Sequence, residues 1–263
     1  MNLNYYLPFT EILTDKGFIQ IQCLNDYYDL KIGLVDSNGV LLFNKFDSSG
    51  LTSLRYSGNI INLAAEDYNF FFHPGTNLIQ NSIFTTNEFK SINILDIDTK
   101  IINNVLINSI VKKEGTIDTV TLDHLLLLDK FIKEEQDLSW IYGLDISSKF
   151  ATDLIKILAN LLDEEIDEYG TLLHLGISEI NTNALQYICC ISGSFSSYVT
   201  VFDIEKDLFL IKILNNVYPI NTYNLKIKEQ EFLFSNHIVY SLNTENQMII
   251  IRQNGSLLLS SNF

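Results

Sequence analysis

Arginine is nearly missing from this chain. Arg55 and Arg252 are the two among 263 residues, and 17 basic side chains face 32 acidic ones for a formal net charge of −15. Arginine is the favoured residue for bidentate phosphate contacts, and nucleic-acid binding needs a basic footprint that displaces condensed counterions. Nucleic acid and an anionic membrane are therefore not expected partners. Cysteine is scarce too, at three residues. Cys23 stands alone and Cys189 and Cys190 are adjacent inside an apolar run. Without C-x-x-C spacing or an even framework, neither a zinc cluster nor a disulfide-stapled secreted fold is expected. All three read as buried thiols in a reducing compartment. Pro8, Pro74 and Pro219 are the only prolines and no Ser/Gly/Pro-rich linker is present, so residues 1–263 read as a single domain. No apolar stretch reaches the roughly 18 residues of a membrane span. The first residues lack the basic and apolar regions of a signal peptide, which makes the cytoplasm the expected address.

The signatures of enzyme chemistry are also missing. His73, His124, His174 and His237 are isolated, with no H-E-x-x-H, no H-x-H and no cysteine at ligand spacing. There is no phosphate-binding glycine loop, and Ser192-Gly193-Ser194 lacks the nucleophile-elbow pattern and reads as a turn. Asp36-Ser-Asn-Gly and Asp96-Ile-Asp resemble fragments of calcium loops without the remaining ligands. No catalytic, cofactor-binding or metal-binding set is expected.

What the chain does have is apolar side chains, 47% of the total against 19% charged, enough for a packed core. Most of them fall in short runs bounded by Asn, Asp, Gly and Ser, the pattern of strands. Examples are Phe18 to Cys23, Leu30 to Val35, Val40 to Phe43, Tyr198 to Phe202, Leu208 to Leu214, Glu231 to Phe234, Ile238 to Leu242 and Met248 to Ile251. Asn38-Gly39 and Asn254-Gly255 each separate two such runs, and both residue types tolerate the positive φ of tight hairpin turns.

An apolar strand followed by Asp or Asn recurs at Asp36, Asp96, Asp145, Asp203 and Asn243, with spacings of 60, 49, 58 and 40 residues. A period of roughly 40 to 50 is that of a propeller blade, and in this respect the chain resembles a WD-type β-propeller. The Gly-His and Trp-Asp dipeptides of that family are absent, and the sole tryptophan, Trp140, precedes Ile141. Asp after an apolar strand is also plain turn chemistry, since its side chain bonds the backbone two residues on. The expected fold is mainly β, propeller-like or another antiparallel β-rich domain, with α+β as the alternative.

The β pattern breaks around residues 121–169, where a helical insertion is expected. Phe150, Leu154, Ile157, Leu158, Leu161, Leu162 and Ile166 fall at helical spacing after Ser147-Ser148. Thr121 to Glu135 gives a second helix candidate, although Leu125 to Leu128 also suits a buried strand. Two acidic runs follow these helices: Asp163, Glu164, Glu165, Asp167 and Glu168, then Glu134, Glu135 and Asp137. Carboxylates near a helix C-terminus oppose its dipole, which suggests a use, although a solvated face is the plain alternative. An acidic field suits a basic partner, because complementary charge speeds encounter and discriminates between partners. The chain is therefore expected to be a protein-binding module, of the inhibitor or immunity type, that covers a basic toxin or nuclease with these residues. A scaffold subunit and a hydrolase with a scattered carboxylate site are the alternatives.

Overall fold

The structure is a computed structural model. It describes residues 4–65, 68–82, 89–100, 104–106, 112–162, 171–203, 208–215, 220–231, 237–245 and 247–261. Strands β1 (Glu11–Thr14) and β2 (Gly17–Gln20) form a hairpin, with Ile12 opposite Ile19 and Leu13 opposite Phe18. They are followed by β3 (Lys31–Val35), β4 (Leu41–Lys45), β5 (Leu51–Tyr56), β6 (Asn59–Ala64), β7 (Asn69–Phe72), β8 (Asn77–Ser82), β9 (Lys90–Asn93) and β10 (Asn104–Leu106). Helices α1 (Leu122–Ile132) and α2 (Ser148–Leu161) come next, then strand β11 (Thr171–Ile177) and helix α3 (Glu179–Ser192). The chain closes with β12 (Phe195–Asp203), β13 (Leu208–Asn215), β14 (Ile220–Asn221), β15 (Lys226–Glu231), β16 (His237–Leu242), β17 (Met248–Gln253) and β18 (Ser256–Ser261).

The domain is β-rich, and every pairing between these named strands is antiparallel. A ten-stranded sheet runs β14-β10-β8-β18-β17-β1-β3-β4, with β2 on β1 and β9 on β8. It joins strands from both ends of the chain. The described strands do not fall into four-stranded blades in chain order, and the helices on one side give an α+β layout.

The residues of β17 and β18 are buried at every position, the apolar runs Met248–Ile251 and Leu257–Leu259 together with the polar residues at the strand ends. Because successive side chains point to opposite faces, this hairpin divides the interior in two. Met248, Ile250, Leu257 and Leu259 join a core with α2 and α3, containing Phe150, Leu154, Leu185 and Ile188. Ile249, Ile251 and Leu258 join a second core with Ile61 and Leu63 of β6 and Phe70 and Phe72 of β7. The neighbouring strands obey the same parity: Leu13, Val35 and Ile79 face the helices, whereas Ile12, Leu34 and Leu78 face the other core.

Both Asn-Gly hairpins form. Asn254 and Gly255 take φ of 49° and 74° between β17 and β18, and Gly39 takes φ of 78° between β3 and β4. Asp36 Oδ1 accepts from the amides of Asn38 and Val40, so this calcium-like fragment is turn chemistry. Ser192-Gly193-Ser194 is likewise a turn, in which Gly193 ends α3 at φ 64°.

The two expected helices are α1 and α2. Ser147 caps α2 by accepting from Phe150 N at 3.1 Å. A clasp holds the segment before α1 against the start of α2. Lys113 Nζ donates to Asp145 Oδ1 at 2.9 Å and Ile146 O at 2.7 Å, while Ser147 N donates to Ile117 O at 2.9 Å. Gly115 sits where a Cβ would run into the Ile146 and Ser147 backbone. Among the described residues, no helix is long and apolar enough to cross a membrane.

Candidate functional site

The leucine run of α1 sets its surface. Consecutive residues are about 100° apart on a helix, so Leu125 to Leu128 span roughly 300° of its circumference and cannot all face one core. Leu128 and Phe131 are buried, whereas Leu122, Leu125 and Leu126 are 71%, 38% and 52% exposed. Positions 122, 125 and 126 are neighbours at three- and four-residue spacing, so the three leucines form one outward stripe. Farther along the same face, Lys133 Nζ pairs with Asp129 Oδ2 at 2.6 Å, and this hydrogen bond raises the lysine pKa.

The helix ends beside the second expected acidic run. Lys133 N donates to Asp129 O, and Glu134 then enters the left-handed region at φ 59°. Glu134 and Glu135 are exposed. Asp137 serves the local backbone instead. Its Oδ1 accepts from the amide and hydroxyl of Ser139, two residues on, just before the short turn Ser139–Ile141. The structure thus brings Glu134 and Glu135 to one end of the leucine stripe and engages Asp137 in a local turn with Ser139. Asp163, Glu164, Glu165, Asp167 and Glu168 lie outside the described residues.

Sequence reading missed the network around Arg252. This side chain, 4% exposed, lies in a cleft of about 340 Å³ lined by Glu11, Glu179, Thr182 and Asn183 among others. Its Nε and Nη2 donate to Glu11 Oε2 and Oε1, both at 2.6 Å. Its Nη1 donates to Asn183 Oδ1 at 2.7 Å and Gln186 Oε1 at 2.9 Å, and its guanidinium lies 4.3 Å from the Phe18 ring centroid. Gln186 Nε2 in turn donates to Gly255 O at 2.6 Å. The arrangement welds β1, β17 and α3. The available signal was one charge directly after the apolar run Met248 to Ile251 and before the turn at Asn254-Gly255, which requires a partner when buried.

Among the described residues no group of three or more His, Cys, Asp and Glu is placed to hold a metal ion. Cys189 and Cys190 are buried free thiols on α3, and burial pushes both pKa values up, that of Cys189 to about 12. Cys23 is only partly buried, against expectation, because Ile21–Asp26 forms a 3-10 turn instead of extending β2. His124 packs on Trp140 and Phe150, with ring centroids 5.9 and 4.9 Å away.

His73 supplies a pH-dependent prediction. It sits between Tyr5 and Tyr56, at centroid distances of 5.0 and 4.3 Å, and burial lowers its pKa. Its Nδ1 accepts from Gly75 N at 2.9 Å, which requires the neutral ring. As pH falls through the ordinary histidine value of about 6.5, the unfolded chain takes the proton first, so stability present above that value is lost. His73→Asn keeps an acceptor two residues before Gly75 and removes the titration. Its melting temperature is expected to fall less than that of wild type between about pH 7 and about pH 5. Equal slopes in thermal melts of the two proteins would remove His73 from this role.

No protein-family model matches the chain, and no curated protein matches it. Among solved structures it is similar to the AceL NrdHF class 3 split intein, a GSH-linked, splice-inactive variant. The likeness covers 99% of this chain and 98% of that one, with 9% identity and a TM-score of 0.47. At that level the likeness carries no argument.

Proposed function

We propose that this chain is an acidic protein-binding module of the inhibitor or immunity type, acting in the cytoplasm on a basic protein such as a toxin effector or nuclease. The observation that carries this reading is the disposal of its cations. Arg252 and Lys113, 4% and 3% exposed, are turned inward and each is neutralised by a carboxylate, Glu11 and Asp145. Removing one cation and one anion at each place leaves the surplus of −15 to the rest of the molecule. Arg55 is then the one arginine left for an outside anion. A surface of this kind repels phosphate and attracts lysine-rich surfaces. The buried thiols Cys189 and Cys190 suit a reducing compartment.

The test is capture from the source cell's lysate on the immobilised protein, followed by identification of what is retained. One basic protein is expected at near-equimolar amount, with an association rate that falls about tenfold or more from low to high salt. Neutralising Glu134 and Glu135 to Gln is expected to slow association further. Retention of nothing, or of a salt-resistant multi-subunit assembly, overturns the reading.

A further inference from the structure

We infer that the outward face of α1 is the docking surface, and that its occupant is a basic protein surface with an apolar centre and a lysine or arginine rim. This inference rests on the reading above and adds the place of contact.

The stripe of Leu122, Leu125 and Leu126 is apolar where the helix faces solvent, opposite Leu128 and Phe131. Contiguous exposed apolar side chains rimmed by polar ones, unlike singly scattered ones, are the mark of an interaction surface. The rim identifies the occupant. Asp123, beside Leu122, is exposed, as are Glu134 and Glu135 beyond the far end of the helix. The cation Lys133 is spent on Asp129 and Lys130 is the other on the helix, so the rim is acidic on balance. A second copy of this chain would bring two molecules of charge −15 together, and like charges across an interface oppose association. A basic partner gains from both parts of the surface, the leucines by burial and the carboxylates by steering.

The helix is well placed for such contact. His124 rests on Phe150 and Trp140, and the clasp of Lys113 to Asp145 fixes the chain that enters α1. The outward leucines are not part of that packing. Their replacement is expected to leave the melting temperature unchanged.

A synthetic amphipathic helix with leucines on one face and lysines on the other is the probe, with a lysine peptide of equal length and charge but no leucines as control. The wild-type protein is expected to bind the amphipathic peptide about tenfold more tightly than the control, the size of effect that burial of about two methylenes gives. The variant Leu122→Gln/Leu125→Gln/Leu126→Gln is expected to lose that difference and keep the control affinity. On the wild-type protein itself, hydrogen exchange is expected to show the amides of 122–132 protected by the amphipathic peptide. If the variant binds both peptides as wild type does, or protection falls elsewhere, the α1 surface is refuted while the acidic reading stands. If neither peptide binds wild type at low salt, that reading fails as well. Dimerisation abolished by the variant would make a second copy the occupant and overturn the basic partner.

Discussion

Replacing Arg252 with methionine is expected to lower the unfolding free energy by about 3 kcal/mol, the scale for breaking a buried charge pair from one side. The guanidinium meets four side-chain acceptors: both oxygens of Glu11, Asn183 Oδ1 and Gln186 Oε1. Methionine fills much of its volume but donates nothing. The Glu11 carboxylate is then left in a mostly buried position, and both amide oxygens lose their donor. Most of the loss is the desolvation cost of these stranded groups rather than the net worth of the pair. Arg252→Lys keeps the charge but not the planar fork, and is expected to cost less than Arg252→Met while remaining well below wild type. The double variant Glu11→Leu/Arg252→Met removes both charges and is expected to recover part of the loss. Urea denaturation with the four proteins decides this. A cost under about 1 kcal/mol for Arg252→Met, the scale of an exposed pair, would mean that the network does not hold β1, β17 and α3 together.

That network also shows how far the sequence could be read. Strands were legible where short apolar runs met Asn-Gly, because a two-residue turn with positive φ leaves few other pairings for Met248–Gln253 and Ser256–Ser261. Helix α2 was legible because its apolar positions repeat every three to four residues behind Ser147. Helix α3 was missed for the opposite reason. From Ala184 to Ser192 every residue is buried, so no polar face marks a period, and the run around Cys189 reads as well for a strand as for a helix. The leucines of α1 were ambiguous for a related reason, since a four-leucine run has no period of its own. Pairings across the chain were not legible at all. Glu11 reaches Arg252 across 241 residues, and nothing local to either strand names the other. Of the candidate contact residues, Glu134 and Glu135 lie beside an exposed apolar face that acidity alone did not indicate. Asp137 holds the backbone two residues on, a role that Asp-x-Ser spacing could have suggested.

Truncating Phe150 to alanine is expected to cost about 4 kcal/mol, within the range for emptying a large aromatic site in a packed core. Phe150 is fully buried in the first turn of α2, in the core that α2 and α3 share with the central hairpin. Its amide is held by Ser147 Oγ, so the backbone cannot move inward to fill the space without giving up the helix cap. The His124 ring stands edge-on at 4.9 Å and would lose its support on that side. The variant is therefore expected to show two separable effects. Global stability falls, as measured by urea denaturation, and α1 loosens before global unfolding, as read by faster hydrogen exchange over 122–132 in native conditions. Phe150→Leu leaves a smaller void and is expected to cost about 1 to 2 kcal/mol with little loosening. Because the proposed docking face depends on α1 being held from behind, Phe150→Ala should also weaken the amphipathic peptide, although no leucine of the stripe has changed. A variant that loses stability yet keeps α1 protected and binds the peptide as wild type would show that α1 is anchored by the clasp at Lys113 and Asp145 alone.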